Sequence, residues 1–218
     1  MLRRTYKMLK PFLNKDVLEA GIDEAGRGPL FGRVYTAAVI LPQDETFIQP
    51  FIRDSKRLSV KKREIAFNFI KENCIDYAVT YKDHDEIDTI NIYNATYSCM
   101  HDSLDKLLVR PEYILVDGSE FQIYTEENEI VPHKCLVKGD DLYSPIAAAS
   151  IMAKVSRDKW IKEMCEKYPL LDEYYDLSSN KGYGTKTHLE GIKKYGISPW
   201  HRKSFGICKG RMINSHFK

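Results

Sequence analysis

Acidic residues stand at the ends of three short apolar segments, each typical of a buried strand. Asp23 and Glu24 end the first segment, Asp117 ends the second (YILVDG), and Asp140 ends the third (KCLVKGD). Each aspartate alone is typical of a turn, but three neighbouring strands would bring four carboxylates to one edge of a sheet. Such a cluster repels itself unless cations bind, and its oxygen ligands suit Mg²⁺ or Mn²⁺. Two such ions can promote hydrolysis of a phosphodiester, so the pattern predicts a metal-dependent nuclease.

A glycine-rich turn of sequence GRG (26–28) follows the first acidic pair. A dinucleotide-binding fingerprint is excluded, because its third glycine would fall at Phe31 and the turn leads into a strand rather than a helix. A plain hairpin tip, with solvated acids and glycines at positive φ, remains open from the turn alone. Adjacent strand residues point to opposite faces, so Asp23 and Glu24 share one site only if the strand ends or bulges there.

The elements that must position these acids follow a mixed α/β order. Apolar, β-branched segments predict strands, and apolar residues at helical spacing predict helices. Ser59, Ser144 and Thr185 are the predicted N-caps of the first, the longest and the last helix. The predicted strands are 17–23, 34–42, 75–82, 113–118 and 134–140, and the predicted helices are 59–73, 88–108, 144–168 and 185–195. These elements predict a central sheet with helices on its faces.

The composition is typical of a globular protein, with 218 residues, 43% of them apolar, and a mean hydropathy of −0.42. No apolar run reaches the ~18 residues of a membrane span, which predicts no membrane contact. Five scattered cysteines without a CxxC pair argue against a zinc site or a disulfide framework and predict a reducing, cytoplasmic compartment. A short mitochondrial presequence is the alternative to a solvated basic N-terminal tail.

The formal net charge of +2 conceals an uneven distribution. Residues 1–15 have five basic and no acidic residues, and residues 181–218 have nine basic residues and one acidic residue. The totals of 33 basic and 31 acidic residues leave 19 and 30 for residues 16–180, a net charge of −11. Solubility alone accounts for basic ends of this kind. Together with the acidic centre, however, they indicate a polyanionic partner, with metal ions between the acids and the phosphates.

Six motifs occur in a characteristic order: GIDEAGRGPLFG, DSKRLS, VDG, KGDDLYSPIAAASIMAK, KGYGTKTHL and HRKSF. This ordered set resembles the ribonuclease HII family, the type 2 ribonucleases H, from about residue 17 to residue 206. The resemblance implies an α/β, ribonuclease H-like fold, with a mixed five-stranded central sheet flanked by helices. We accordingly divide the chain into a basic N-terminal tail (1–15), a catalytic domain (16–170) and a small, helical, basic, substrate-binding extension (171–218).

The resemblance also implies metal-dependent cleavage of the RNA strand of RNA–DNA hybrids and cleavage 5′ of single ribonucleotides in duplex DNA. The ends would be a 3′-hydroxyl and a 5′-phosphate, and the role would be removal of ribonucleotides and RNA primers in DNA repair and replication. It further implies two Mg²⁺ or Mn²⁺ ions, a nucleic-acid partner and a monomer. The alternatives are a non-catalytic RNA–DNA hybrid binding protein and a nuclease of the same fold that does not read the ribose.

The resemblance assigns four residues as the catalytic acids that bind the metals: Asp23, Glu24, Asp117 and Asp140. Asp140 is preferred to Asp141 because it precedes Ile146 of the IAAAS helix by six residues. The loop Gly26-Arg27-Gly28 matches the backbone that approaches the ribose 2′-OH, the group that separates RNA from DNA. Tyr183 matches a tyrosine that packs against the adjacent sugar. Candidates for phosphate contacts, by charge and motif position, are Lys56, Ser150, Lys154, Arg202 and Lys203.

Several other residues are predicted to have structural roles, and for some of them two roles remain possible. His188 and His201 are expected to be surface or structural residues rather than general bases or metal ligands. Asn91 and Asn94 lie either on the substrate side of their helix or in local caps. The tyrosines and the methionine along 93–100 are assigned to the core. The chain departs from the family pattern at Phe31, at Arg33, in VDGS, and in an acidic stretch at 121–130 that is expected to overhang the groove.

Overall fold

The computed structural model describes residues 8–44, 52 and 58–217. Its strands are β1 (Glu19–Ala25), β2 (Val34–Ile40), β3 (Asp76–Lys82), β4 (Tyr113–Asp117), β5 (Thr125–Glu126), β6 (Glu129–Ile130) and β7 (His133–Leu136). Its α-helices are α1 (Val60–Asn73), α2 (His84–Asp105), α3 (Ser144–Lys167), α4 (Leu170–Tyr175), α5 (Leu177–Asn180) and α6 (Lys186–Tyr195). Short 3₁₀ turns lie at Gly139–Asp141, Gly206–Cys208 and Ser215–Phe217.

Five strands form one mixed sheet in the order β3-β2-β1-β4-β7, which confirms the predicted five-stranded sheet. β2 pairs antiparallel with β1 and with β3, whereas β4 pairs parallel with β1 and with β7. Since β1, β4 and β7 run in one direction, their carboxyl ends lie at the same edge of the sheet. The predicted acids stand at or just beyond these carboxyl ends.

Helices cover both faces of this sheet, as predicted. The small residues 147–149 of α3 are buried against β1 and β2. The approach is so close that a Cβ atom at Gly21 would lie 2.1 Å from a backbone atom of Pro145. On the opposite face, Ile22 of β1 and Leu104 of α2 belong to a second buried cluster. α3 and α2 therefore hold the central strands between them.

Helix starts differ in part from the prediction. Ser144 is the first residue of α3 rather than its cap, which is Tyr143 in an extended conformation. α2 begins at His84 instead of 88, because Asp83 and Glu86 form a capping box that satisfies backbone N–H groups of the first turn. The predicted N-caps of α1 and α6 are confirmed, since each hydroxyl accepts a hydrogen bond from a backbone N–H of the first turn.

The third acidic strand is shorter than predicted. β7 ends at Leu136, and Asp140 lies in the 3₁₀ turn at Gly139–Asp141. Lys138 adopts a left-handed conformation with φ 58°, which reverses the chain direction between the strand and the turn. Asp140 therefore reaches the sheet edge from a turn that leads into α3, and the expectation that it ends a strand is wrong.

The acidic stretch at 121–130 does not overhang the groove. It contains the β5–β6 hairpin, whose tip lies beside Arg110 and Glu112, and Arg110 Nε is 2.5 Å from Glu126 Oε1. Arg110 and Glu112 precede β4, so the hairpin tip is at the edge of the sheet opposite to Asp117. The direction of the hairpin depends on tertiary contacts, which no local pattern in the sequence indicates.

The C-terminal residues share a third hydrophobic cluster with α3 and with the connection between β1 and β2. Ile161 of α3, Leu171 of α4 and Ile192 of α6 are buried together with Phe31. Phe31, a departure from the family pattern, is thus a core residue. The division of the chain at residue 170 stays a prediction. Within the described ranges, none of the helices has the length and apolar character needed to cross a bilayer.

Candidate metal centre and active site

Three of the four predicted acids meet at the carboxyl edge of the sheet. Asp23 in β1, Asp117 at the end of β4 and Asp140 each offer one carboxylate oxygen, and these oxygens lie within 4.8 Å of one another. Ile22 pairs with Val116, so Asp23 and Asp117 occupy equivalent positions on adjacent parallel strands and point to the same face. Oxygen donors arranged in this way suit a divalent cation.

The turn that carries Asp140 is fixed to Asp117 by the backbone. The Gly139 N–H donates to Asp117 Oδ1 at 2.7 Å. A Cβ atom at Gly139 would lie 2.6 Å from Ile146 Cδ1 in α3 and 3.5 Å from Asp117 Oδ1. Glycine at this position therefore lets the turn pass between α3 and the carboxylate without displacing either.

The electrostatics of Asp23 favour a bound cation. Asp23 is only 5% exposed, and burial raises the pKa of its carboxyl well above the ordinary value. The negative charges of Glu24 and Asp117 raise this pKa further, whereas hydrogen bonds from the Ser150 side chain and the Glu24 backbone lower it. The ionised cluster is therefore costly without a counter-charge. A divalent cation held by the three aspartates supplies that charge, so the residues present fit a metal site.

Glu24 adjoins the cluster from the other face of the sheet. β1 pairs regularly with β2 through its last residue, so the strand end or bulge expected at 23–24 is wrong. Glu24 and Asp117 line a cavity of about 310 Å³ beside α2, together with Tyr93. Arg27 lies at its rim, with Nη1 3.5 Å from Glu24 Oε1 and its guanidinium 4.8 Å from the centre of the Tyr93 ring. Tyr93 is 57% exposed, which corrects its assignment to the core.

The loop after β1 brings the proposed ribose contacts together. Gly26 has φ +102°, and a Cβ atom there would lie 2.3 Å from Arg157 Nε, so only glycine fits. Gly28 is exposed and faces Tyr183, because a Cβ atom at Gly28 would lie 3.6 Å from Tyr183 Cε1. The loop is thus packed on one side and open toward a tyrosine on the other.

The candidate phosphate contacts are placed differently from one another. Ser150 is buried and its side chain is hydrogen-bonded to the Asp23 carboxylate. Lys154 Nζ is 2.6 Å from Asp158 Oδ1, and burial lowers the pKa of this lysine while Asp158 opposes the shift. Lys56 lies outside the described residues. The phosphate contacts of Ser150, Lys154 and Lys56 stay predictions.

Arg202 is buried, whereas its neighbour Lys203 is exposed. Arg202 is fully buried and donates to four backbone carbonyl oxygens, so a direct phosphate contact by this side chain is wrong. The Lys203 side chain is half exposed, with Nζ 3.9 Å from Asp85 Oδ1, and its backbone N–H donates to Asp88 at 2.7 Å. Its phosphate contact stays a prediction.

The histidines and asparagines show local structural roles. His188 and His201 are fully buried and hydrogen-bonded to each other at 2.9 Å, which confirms a structural role and excludes the surface position that was the other expectation. Asn91 interrupts α2 with φ 65°, and its Oδ1 accepts a hydrogen bond from the Asn94 N–H at 3.0 Å. This bond caps the second half of α2. A substrate-side role for the two asparagines stays a prediction.

Arg157 was not among the residues that the sequence singled out. It lies in α3, is 1% exposed, and donates to the carbonyl oxygens of Phe31, Arg33 and Lys181. Within a helix rich in charged residues, an arginine that faces the interior has the same local pattern as one that faces water. No signal in the sequence separates the two.

The sequence comparisons agree on one family. A family model described as Ribonuclease HII matches residues 20–208. A ribonuclease HII of Bacteroides thetaiotaomicron is 44% identical over 210 residues, which cover 96% of this chain and 100% of the relative. A ribonuclease HII of Parabacteroides distasonis is 46% identical over 200 residues, which cover 92% of this chain and 96% of the relative.

Solved structures show a similar fold. The ribonuclease H2 from Pyrococcus horikoshii has a TM-score of 0.70 and 26% identity, over 87% of this chain and 94% of that chain. Bst-RNase HIII, solved in complex with Mn²⁺, has a TM-score of 0.66 and 20% identity over 88% of this chain and 68% of that chain, and shares the fold. The family match includes the three clustered aspartates. The chain belongs to the ribonuclease HII family and is an endoribonuclease that cleaves the RNA of RNA–DNA hybrids.

Proposed function

We propose that this enzyme also cleaves on the 5′ side of single ribonucleotides embedded in duplex DNA, leaving a 3′-hydroxyl and a 5′-phosphate. The supporting observation is that a cluster of carboxylates and a loop suited to contact a sugar lie next to each other. One is the cluster of aspartates whose oxygens lie within 4.8 Å of one another. The other is the loop 26–28, which follows Asp23 in the chain and faces Tyr183. The first suits the scissile phosphate and the second suits the sugar beside it.

Asp23, Asp117 and Asp140 would hold the metal, and Glu24, which lines a cavity together with Asp117, stays the predicted fourth metal-binding acid. When bound, two Mg²⁺ or Mn²⁺ ions supply positive charge that acidifies water and stabilises a leaving oxygen. The chain itself keeps the carboxylates in place. The Gly139 N–H fixes Asp117, and the Ser150 side chain holds Asp23, so these side chains need little rearrangement when substrate arrives.

The ribose is read by the loop Gly26-Arg27-Gly28 and by Tyr183. The 2′-hydroxyl both donates and accepts hydrogen bonds, and Gly28 leaves room for it to reach the loop backbone. Tyr183 is 46% exposed, so its ring is available to pack against a sugar. A deoxyribose at this point would leave the polar groups of the loop without a partner, which disfavours DNA.

Nucleic acid is the proposed partner, because the basic residues in 1–15 and 181–218 attract phosphate groups. Lys203, Lys154, Lys56 and Ser150 are candidates for individual contacts. We propose a monomer that works in a reducing, cytoplasmic compartment. Five free cysteines agree with such a compartment.

The test uses three labelled duplexes: one all-DNA, one with a single ribonucleotide, and one long RNA–DNA hybrid. Each is incubated with Mg²⁺, with Mn²⁺ or with EDTA, and the products are sized and their ends identified. We expect metal-dependent cleavage 5′ of the single ribonucleotide and no cleavage of the all-DNA duplex.

The other outcomes separate the alternatives. Cleavage of the hybrid alone would keep the nuclease and discard the reading of an isolated ribose. Cleavage of the all-DNA duplex would indicate a nuclease that does not read the sugar. Binding of the hybrid without cleavage in either metal would indicate a hybrid-binding protein.

A further inference from the structure

Arg202 holds the loop that follows β1 from the inside of the protein. Its Nε donates to Gly32 O at 2.8 Å, and its Nη1 donates to Arg27 O at 2.9 Å and to Pro29 O at 2.8 Å. Its Nη2 donates to Gly26 O at 2.6 Å. One planar side chain thus joins four carbonyl groups of a seven-residue segment, and its rigid geometry fixes their relative orientation.

Arg157 joins the same loop to the segment that carries Tyr183. Its Nε donates to Arg33 O at 3.1 Å and its Nη2 to Phe31 O at 3.1 Å, whereas its Nη1 donates to Lys181 O at 2.9 Å. The two segments are also linked directly, because the Leu30 N–H donates to Gly182 O at 2.8 Å. A shift of one segment would therefore move the other.

Burial of the two guanidinium groups is unfavourable for the free energy of folding. Within the described part of the chain, neither Arg157 nor Arg202 forms an ion pair with a carboxylate. Burial lowers the pKa of both side chains, to about 9 for Arg202. Buried charges satisfied only by backbone oxygens are expensive, and an apolar side chain would fill the same volume more cheaply.

The bonds to Arg202 determine which way the loop amides point. In a trans peptide the C=O and N–H groups point in opposite directions. The carbonyls of Gly26 and Arg27 point to the buried guanidinium, so the N–H groups of Arg27 and Gly28 point away from it. Gly28 is exposed and faces Tyr183, so this is the side on which a sugar would approach.

Two neutral histidines hold the backbone of Tyr183. The Ser198 N–H donates to His201 Nδ1 at 2.9 Å, so the His201 proton is on Nε2, which donates to His188 Nε2 at 2.9 Å. His188 therefore has its proton on Nδ1, which donates to Tyr183 O at 2.9 Å. His201 precedes Arg202, so one short segment supports both sides of the sugar site.

We propose that Arg157 and Arg202 are positioning residues that orient the loop 26–33 against Tyr183 and thereby set the preference for an isolated ribonucleotide. This inference rests on the proposed reading of the ribose. The two arginines do not touch substrate. They act by presenting the N–H groups of Arg27 and Gly28 and by placing positive charge behind them, on the side away from the nucleic acid.

The test is Arg202→Lys, which keeps the charge and loses the planar fork. kcat/KM is measured for a duplex with one ribonucleotide and for a long RNA–DNA hybrid, and the ratio of the two is compared with the wild type. A hybrid offers many registers with a 2′-hydroxyl, whereas the single ribonucleotide offers one, so poor positioning should affect the single site more. We expect the ratio to fall about fivefold to tenfold, the worth of one or two hydrogen bonds.

Ile70→Val is the matched control. It removes one methyl group from the buried cluster that α1 shares with α3 and β2, and no residue of the loop 26–33 belongs to that cluster, so it lowers stability without altering the loop. A loss of folded enzyme lowers the apparent kcat/KM by the same factor for both substrates. The ratio of the two values should therefore not change in this control. An unchanged ratio in Arg202→Lys would overturn the inference. Failure of the wild type to cut the single ribonucleotide would overturn the proposed function instead, and the inference with it.

A measurement on the wild type covers the case in which Arg202→Lys does not fold. Hydrogen exchange of arginine Nε–H groups is followed by NMR, with the exposed Arg211 as the internal reference. The Nε–H groups of Arg157 and Arg202 should exchange far more slowly than that of Arg211, because both are buried and bonded to carbonyls. Exchange at the same rate as Arg211 would show that neither arginine fixes the loop, and the inference would be rejected.

Discussion

The acidic sheet edge and the buried arginines around the loop 26–33 differ in how their buried charges are compensated. At the sheet edge, Asp23 is buried next to other carboxylates that raise its pKa. Around the loop, Arg202 is equally buried, but backbone carbonyl oxygens meet its donors. The first region is left in need of a cation from outside. In the second region, carbonyl oxygens of the protein itself accept the hydrogen bonds of the buried charge.

This difference separates chemistry from positioning. A cluster whose repulsion is relieved only by a bound ion is suited to hold metal and phosphate, and it is destabilising until they arrive. A charged group whose donors are satisfied internally contributes no reactive group, but it holds a segment in one conformation. Substitutions in the two regions should therefore differ in kind as well as in size.

The largest effect is expected for Asp140→Asn, compared with Asp141→Asn. Asp140 belongs to the group of three aspartates and Asp141 does not. Loss of one metal-binding charge should lower kcat by about 100- to 1000-fold or more, while affinity for the hybrid in the presence of Ca²⁺ changes little. Asp141→Asn should keep most of the activity. If the two variants lose equal activity, the choice of Asp140 as the ligand is wrong.

Two alanine substitutions in the loop 26–28 should separate an effect on activity from an effect on stability. A Cβ atom at Gly28 makes an ordinary contact with Tyr183 at 3.6 Å, whereas one at Gly26 would lie 2.3 Å from Arg157 Nε, at φ +102°. Gly28→Ala should keep the melting temperature and lower cleavage at a single ribonucleotide about tenfold. Gly26→Ala should lower the stability by about 1–3 kcal/mol. Calorimetry and the duplex assay measure both, and a stable, inactive Gly26→Ala would contradict this reading.

Metal should stabilise the protein through the acidic edge. Mg²⁺ or Mn²⁺ binds the folded state only, so it should raise the melting temperature by a few degrees. Because the pKa of Asp23 is raised in the fold, its ionisation at neutral pH opposes folding, and Asp23→Asn should stabilise the metal-free protein. The same variant should reduce the shift caused by metal. Scanning calorimetry with and without EDTA tests both, and Ser179→Ala on α5 is a surface control.

The smallest effect concerns the histidine pair. Burial lowers the pKa of His188 and His201 in the fold, so acid protonates the unfolded chain first and stability falls as pH drops below about 6.5. Each histidine contributes a slope of at most about 1.4 kcal/mol per pH unit. His188→Gln should flatten the dependence measured by denaturant unfolding between about pH 7 and pH 5.5. A histidine outside the pair, changed in His101→Gln, serves as the control, and equal slopes in all three proteins would argue against the assignment.

Much of the fold was predictable because its signals are local. Apolar β-branched runs identify the five strands of the sheet, and the hydroxyls of Ser59 and Thr185 identify two helix starts. The position of Asp140 was not predictable in this way. Its turn depends on a left-handed Lys138 and on a hydrogen bond from Gly139 to Asp117, and neither has a local signature strong enough to end β7 at Leu136.

The order and the types of the residues were enough to identify the groups that could do chemistry, namely carboxylates, glycines and an aromatic ring. How these groups are brought together depends on the packing of the strands and helices. Parallel pairing of β1 with β4 aligns Asp23 with Asp117, and the regular pleat of β1 turns Glu24 to the other face. The same holds for Arg202, whose partners lie about 170 residues away in the chain. Contacts over such distances depend on the packing of whole elements, and no local pattern encodes them.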